Sequence, residues 1–374
     1  MLTSIIINNY NYGHFLNEAI DSALNQTYPN IEVIVVDDGS ADNSRDIIAE
    51  YGNRIIPVLK ENGGMASAFN AGFNVSSGHV IISLDSDDLL LPFAVENAIQ
   101  RFNNIRVTKV HWYLWEINKR GQKSGTMNPK VNLPEGDLRD EVIKNGPVAC
   151  VSSPTSGNAW SRKFLEKVLP IPELEFKRSS DSYLYTLAPI YGSVERITEP
   201  QGYYRIHSNN DYAGKSLGER NKLIYETFEV RCNVLIKHLN IIGIKASIET
   251  WKKNENYKWI EQLYNATNEI AAIVPPGEIY LFVDDGQWEA GNVIADRQNL
   301  PFLESNGEYW GPPPDDETAI REFERLRKAG ASFIVFAWTA FWWLEHYQEF
   351  YKYLRTNYRC VLDNERLVVF DLKG

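Results

Sequence analysis

The sequence predicts an α/β fold: a mostly parallel sheet flanked by helices, then a helical linker and a smaller α/β domain. Three observations carry that prediction. Short β-branched runs alternate with helix-period segments over the first hundred residues, which is the pattern of βαβ units with a doubly covered sheet. Each apolar run ends in a cluster of polar residues. Late in the chain two prolines precede a fresh apolar strand, "IVPPGEIYLFVDDGQ", which marks a boundary. At 374 residues the chain is longer than one typical domain of about 100–200 residues.

In order, "TSIIINN" reads as a strand, "FLNEAIDSALNQ" as a helix, "IEVIVVDDGS" as a strand, "SRDIIAEYG" as a helix, "RIIPVLK" as a strand, "MASAFNAGFNV" as a helix and "HVIISLDSDD" as a strand. The strands finish at Asn8 and Asn9, at Asp37 and Asp38, at Asn62 to Gly64 and at Asp85 to Asp88. In an open parallel sheet all four endings fall on one edge, where such folds bind ligands. The pattern is mixed after that, with an aromatic strand "VTKVHWYLWEI", a long loop, a short helix near Asp137 to Lys144, and polar clusters at "SSPTSGNAWSRKFL" and "KRSSDSYLY". Long helices rich in Glu, Lys and Asn follow, broken at Ile242 to Ile244. The expected organisation is residues 1–217, a helical extension over 218–276, and an α/β unit over 277–374.

Charge and composition exclude several classes. Lys and Arg number 38 against 49 Asp and Glu, a formal net charge of −11, which argues against general binding to nucleic acid or to an anionic membrane. No uncharged apolar run reaches about 18 residues, and the start lacks a basic n-region with a long apolar h-region. A cytoplasmic, soluble protein is expected, with peripheral membrane association left open. Cys150, Cys232 and Cys360 are scattered without CxxC spacing, which offers neither a zinc site nor a disulfide framework.

The chemistry gathers on the polar strand ends. Asp37 and Asp38 stand where one acid would suffice for a turn, and a carboxylate there can accept a hydrogen bond from a base imide or a ribose hydroxyl. Gly63 and Gly64 precede a helix, whose amides and dipole suit a phosphate. Asp85 and Asp87, one residue apart on an extended strand end, project to the same side and can share a hard divalent cation. Packed carboxylates repel unless a cation, a proton or water intervenes, and Mn²⁺ or Mg²⁺ with a nucleotide diphosphate answers that need. A nucleotidyltransferase would show a Gly- and Arg/Lys-rich phosphate loop near the first strand. "NNYNYGHF" has neither repeated Gly nor Arg.

Taken together, "SIIINNYNYGHFLNEAIDSALNQTYPNIEVIVVDDGSADNS", "ENGGMASAFNAG" and "HVIISLDSDD" resemble the family 2 glycosyltransferases of the GT-A fold. The resemblance implies an inverting transferase acting in glycan or polysaccharide biosynthesis. Its donor would be a UDP-, GDP- or dTDP-linked sugar, its acceptor a hydroxyl, and its cofactor a divalent metal. It places Asn9, Tyr10 and Asn11 in the first nucleotide-contacting loop, Asp37 and Asp38 at the base-binding acid, and Asn62, Gly63 and Asn70 in the third motif. Asp85 and Asp87 fall at the Asp-x-Asp motif. The chain departs from the family at Asn8 and Asn9, where Pro-Thr is usual, and at Phe69, where Arg is common.

An inverting transfer needs a base for the acceptor hydroxyl. The resemblance puts Asp181 there, at a helix start and after Ser180 rather than Glu, with Glu173 and Glu175 as fallbacks. The segment "YYRIHSNN" resembles the family's late Tyr-Arg-x-His, so that His207 completes the metal site and Arg205 binds diphosphate oxygens. Ser156, Gly157, Asn158 and Trp160 resemble the acceptor-side loop; Trp160 offers a ring to a sugar face, although a buried aromatic is its commoner use. The competing reading is a catalytically decayed nucleotide-sugar-binding or scaffold protein. The departures at Phe69 and Ser180 favour it; the intact Asp-x-Asp, Asp181 and His207 favour catalysis. In the tail, Trp338, Phe341, Trp342, Trp343, Tyr347, Phe350 and Tyr351 recur at helical spacing, which makes most of them core rather than a carbohydrate platform. Asp284, Asp285, Asp315 and Asp316 read as turns and caps.

Overall fold

Side chains that alternate across a strand while every position is apolar can be buried only if both faces of the sheet are covered, and the first, second and fourth strands meet that condition, whereas the third is a largely exposed edge strand. A computed structural model describes residues 1–208, 210, 214–288, 291–306 and 308–373. The chain divides into two units, one of residues 1–214 and 228–254, the other of residues 215–227 and 255–374.

In the first unit the elements run β1 (Thr3–Asn9), α1 (Gly13–Leu24), β2 (Ile31–Asp38), α2 (Ser44–Glu50), β3 (Ile56–Lys60), α3 (Met65–Val75), β4 (Val80–Asp85), β5 (Leu89–Leu90) and α4 (Ala94–Arg101). They continue with β6 (Val107–Asn118), β7 (Lys123–Asn128), α5 (Arg139–Asn145), β8 (Asn158–Ser161), α6 (Arg162–Val168), α7 (Ser180–Tyr191) and β9 (Ser193–Ile206). The sheet order is β3-β2-β1-β4-β8-β6-β9-β5, with β7 paired to β6. β3, β2, β1 and β4 are all parallel. β8 then runs antiparallel between β4 and β6, and β6 and β9 are again parallel. The sheet is therefore parallel where the βαβ pattern predicts it and mixed beyond β4.

One face of β1, β2 and β4 presents Ile5, Ile7, Val33, Val35, Ile82 and Leu84 to Leu16, Ala19 and Ile20 of α1. Full burial of each such aliphatic is worth about 1.5–3 kcal/mol, so this packing dominates the unit's stability. The opposite face takes α3 at close range. A Cβ at Gly72 would sit 2.6 Å from Ile6 and 3.0 Å from Val36, so any side chain there pushes the helix off the sheet.

Helix α8 (Leu217–Ile241) contributes residues 217–227 to the second unit and 228–241 to the first, and α9 (Ile248–Trp251) belongs to the first. The helical stretch expected over 218–276 is thus shared between the units, because its halves have separate apolar partners. α10 (Glu255–Ile273) lays Leu263, Ala266 and Ile270 against Tyr280, Phe282, Phe333 and Val335 of the second sheet. That sheet is built from β10 (Ile279–Val283), β11 (Gln298–Pro301), β14 (Ala331–Ala337), β15 (Arg359–Asp363) and β16 (Leu367–Asp371), in the order β11-β10-β14-β16-β15. β12 (Glu304–Ser305) and β13 (Glu308–Tyr309) form a small ribbon. α11 (Asp316–Lys328), α12 (Trp342–His346) and α13 (Gln348–Asn357) complete the unit. Phe323, Trp343, Tyr347 and Phe350 join Leu281, Ile334 and Phe336 in its other core cluster. Helical spacing therefore reads these aromatics as core, as expected; Trp342 is the exception and stays 39% exposed.

Candidate active site

Parallel register sets the strand ends side by side, with Asn9 opposite Asp37 and Asn8 opposite Asp85. Asp37 is fully buried. Burial raises its pKa, but hydrogen bonds from Ser40, Arg45 and Asn9 outweigh that and hold the carboxyl below its ordinary range. The donors are Arg45 Nε at 2.8 Å, Ser40 N at 3.2 Å and Asn9 Nδ2 at 3.2 Å. Gly39 turns the chain directly afterwards at φ 80°, where a Cβ would meet the Asn62 amide at 2.6 Å, so glycine is needed both for the backbone angle and for the space.

Asp38 works as a latch. Its carboxylate accepts from Lys60 Nζ at 2.6 Å, Gly63 N at 3.0 Å and Gly64 N at 2.7 Å, and its carbonyl accepts from Asn62 Nδ2 at 3.0 Å. The amides of Gly63 and Gly64, expected to face a phosphate, are spent on this buried acid. The reason is local: a carboxylate at the end of β2 and the positive N-terminus of α3 neutralise one another. Asn70, expected at the nucleotide, is likewise engaged elsewhere. It donates to the carbonyl and accepts from the amide of Ile171, both at 2.9 Å, and so straps down the segment before α7.

The first loop keeps polar capacity at the edge. Neither side-chain polar atom of Asn8, nor Oδ1 of Asn9, has a hydrogen-bond partner although all are buried. Such orphaned groups are costly unless something else satisfies them. Asn11 takes a left-handed conformation, φ 59°, and its Oδ1 accepts from Ala41 N at 2.8 Å, which leaves Tyr10 exposed beside it.

At the Asp-x-Asp turn, Asp87 Oδ2 lies 2.9 Å from His207 Nε2 and 3.3 Å from Asn210 Nδ2. The His207 ring packs on Phe15 and Tyr12, with centroids 5.1 Å and 5.4 Å away. Asp88 is not a solvated turn residue. It is buried, accepts from Ser156 Oγ at 2.6 Å and from Arg205 N at 2.8 Å, and its carboxyl is pushed well up by burial and then by the charges of Asp87 and Asp85. Arg205, expected to bind diphosphate oxygens, is engaged by the protein instead. Its guanidinium donates to the Asp87 carbonyl at 2.8 Å, to Glu18 Oε2 at 2.8 Å and to the Lys119 carbonyl at 3.3 Å, and it lies over the Phe15 ring. It clamps the Asp85–Asp88 turn and is buried there on β9, opposite Ile117 of β6.

Among the described residues no three His, Cys, Asp or Glu side chains converge tightly enough to hold a metal ion as placed. The donor chemistry nevertheless fits one. Asp87 and His207 are in contact, Asp85 is two residues away at a partly exposed strand end, and carboxylate oxygens with an imidazole nitrogen suit a divalent cation.

Asp181 stands in the first turn of α7. Burial raises its pKa, while the Ser182 amide and the charges of Lys109 and Arg231 pull it back. Sequence reasoning missed both of these cations. Lys109, on β6, is 2% exposed, donates to Ser152 Oγ at 2.6 Å, and sits 5.5 Å from the Trp160 ring and 5.7 Å from that of Tyr185. Burial drives its pKa down to about 7. Arg231 donates to Thr186 Oγ1 and the Pro147 carbonyl, and lies 4.9 Å from the Tyr185 ring. A signal was present: Lys109 and His111 are both buried polar residues two apart in a largely apolar and aromatic strand, and so share one face. Trp160 is 1% exposed and belongs to this wall, not to a sugar-stacking surface. Asn158 is consumed by backbone carbonyls of its own loop. Glu173 and Glu175 are exposed, and Glu173 is bonded by Asn70.

No helix among the described residues is long and apolar enough to cross a membrane. Residues 4–153 match the profile of glycosyl transferase family 2. An uncharacterized glycosyltransferase of Nostoc sp. is 36% identical over 267 residues, 69% of this chain and 81% of that protein. An uncharacterized glycosyltransferase of Rickettsia typhi is 47% identical over 104 residues, 28% of this chain and 33% of that one. The chondroitin synthase of Pasteurella multocida is 45% identical over 104 residues, 27% of this chain and 11% of the synthase. Except for the Nostoc protein, then, the chain spans a third or less of these relatives. Among solved structures, S. aureus TarS 1–349 in complex with UDP superposes with a TM-score of 0.51 at 20% identity, covering 74% of this chain and 76% of that one, which establishes a shared fold.

Proposed function

The chain belongs to glycosyltransferase family 2, and from that premise we propose that it is an inverting transferase moving a sugar from a nucleotide diphosphate to an acceptor hydroxyl in glycan synthesis. The observation that carries the reading is the edge of β1, β2 and β4. Register brings Asn8, Asn9, Asp37 and Asp85 together there, and both side-chain polar atoms of Asn8 and the Oδ1 of Asn9 are buried with no hydrogen-bond partner. A polar ligand seated at this edge would satisfy them. The UDP bound by TarS, which shares the fold, supports a nucleotide as that ligand.

In this reading Tyr10 covers the base, Asp37 and Asn9 meet the nucleoside, and Asp85, Asp87 and His207 hold a divalent ion, Mn²⁺ or Mg²⁺. When bound, such an ion supplies positive charge to the diphosphate as it departs. Arg205 and Asp38 act one step removed, the first bracing the Asp87 turn and the second fixing the α3 N-terminus. Asp181 takes the proton of the acceptor hydroxyl while that oxygen bonds to the anomeric carbon. The bond to the diphosphate breaks on the opposite face, and its electron pair leaves with the phosphate oxygen.

Incubation with UDP-, GDP- and dTDP-sugars, with and without Mn²⁺, tests the proposal. Slow release of one nucleoside diphosphate, accelerated by metal, is expected. Binding of a nucleotide sugar with no turnover on any acceptor would instead identify a decayed, sugar-nucleotide-binding protein.

A further inference from the structure

The second unit contains a constellation that the transfer reaction does not use. β11, β10 and β14 are parallel neighbours, so the connections leaving their carboxyl ends rise from one edge, where open α/β sheets place ligands. Those connections meet at Asp285. Its Oδ1 accepts from the Tyr309 hydroxyl at 2.8 Å and its Oδ2 from the Trp342 indole N–H at 3.3 Å, while Thr339 Oγ1 donates to the Asp284 carbonyl at 2.8 Å. Tyr309 follows β11, Asp284 and Asp285 follow β10, and Thr339 and Trp342 follow β14. Asp285 holds φ 57°, a left-handed turn conformation that Asp adopts more readily than most residues with a Cβ.

Burial separates this group from the core. Trp343 and Tyr347 are almost fully buried, whereas Trp342 is 39% exposed and Trp310, next to Tyr309, is 78% exposed. Single exposed aromatics need no explanation. Here, however, Trp342 is tied to a carboxylate that the loops after three parallel strands approach, at the edge where open α/β sheets place ligands. The acids also decide what can bind. Asp285 and Asp284 act on the Tyr309 hydroxyl, and Asp316, Asp285 and Asp315 on that of Tyr347, so a phosphate or carboxylate ligand would be repelled. A neutral pyranose fits instead, since its C–H face packs on an indole and its hydroxyls donate to a carboxylate.

We infer that this edge is a carbohydrate-binding site for neutral pyranose rings, with Trp342 as the apolar surface and Asp285, oriented by Tyr309, as the hydroxyl acceptor. The site lies within the second unit and stands whether or not the first unit transfers sugar.

Calorimetric titration of the full chain with maltohexaose, cellohexaose and chitohexaose tests this. Saturable binding of at least one, with a Kd of about 1 mM or tighter, is expected. Trp342→Ala and Asp285→Asn should each weaken it tenfold or more while leaving nucleotide diphosphate binding unchanged. If either variant unfolds, Trp342→Leu, which keeps apolar bulk at a partly exposed position but removes the ring, carries the test. Failure of all three sugars to bind, tighter binding of choline than of any sugar, or affinities untouched by the folded variants would each overturn the assignment.

Discussion

Asp181 and Lys109 both lose hydration on burial, which moves them in opposite directions: the carboxyl is pushed up, the ammonium down to about 7, and the charge of each partly offsets the shift of the other. Activity that depends on ionised Asp181 must therefore fail, as pH drops, at a pH above the ordinary carboxylate value of about 3.9. Lys109→Met removes the nearby positive charge and should move that acidic limb upward by about one unit, as read from the pH profile of turnover. The same change should stabilise the protein. Lys109 titrates near 7 when folded and near about 10.4 when unfolded. Between those values the unfolded chain binds the extra proton, so this residue makes stability rise with pH, and its penalty is complete below 7. Urea midpoints at pH 6 and pH 9 should diverge in the wild type and draw together in Lys109→Met. At Asp181 itself, Asn keeps the size but removes the basic charge, so donor affinity should survive while turnover falls about 100-fold. Product that retains the donor's anomeric configuration would shift suspicion to Glu173. Asp87→Ala should abolish the Mn²⁺ dependence of nucleotide diphosphate binding by calorimetry without unfolding the chain, since Asp87 is partly exposed and its partners are His207 and Asn210. Equal affinity with and without Mn²⁺ in the wild type would remove the metal from the scheme.

Elements hold these side chains in place through links that run from one loop to the next. Asp38 joins the end of β2 to the start of α3 through Lys60, Gly63 and Gly64. Asp38→Ala leaves an ammonium and two amides short of an acceptor and should cost about 3 kcal/mol in urea unfolding; a cost under about 1 kcal/mol would show the latch to be dispensable. The parallel half of the sheet was legible because its signals are local: β-branched runs of strand length, helices between them, and polar residues where each strand stops. The reversal at β8 and the return of β9 beside β6 were not, since pairing partners far apart in the chain leave no local trace. Residue roles divide in the same way. Asp87 and His207 are in contact, and Asp85 ends the strand two residues before Asp87. Arg205, Asp38 and Asn70, which the sequence motifs place at a ligand, face the protein instead. A polar residue at a strand end has the same sequence appearance in either case, and only the neighbours' unsatisfied donors decide which way it turns.

For the whole molecule, the position of the boundary between the units follows from which apolar faces need each other. The double proline before β10 places a break near residue 277, but α10 buries Leu263, Ala266, Ile270 and Val274 against the strands that follow it. A fragment beginning at 277 would expose one face of its sheet, with Tyr280, Phe282, Phe333 and Val335 stripped of their cover. Arg297 strengthens the attachment, donating to the carbonyls of Val274 and Ala271 at 2.6 and 2.8 Å. Gly243, by contrast, has a left-handed φ of 80° in an exposed turn with nothing packed around it, and exposed turns of this kind are where proteases cut. Limited proteolysis of the full chain should accordingly cleave within 242–254 and release a resistant fragment that retains α10. Expression of residues 255–374 should yield soluble protein with a cooperative thermal transition, and residues 277–374 should aggregate. A folded, monomeric 277–374 fragment, or primary cleavage at 274–277, would mean that the aromatic core around Phe323, Trp343 and Phe350 suffices without the helix.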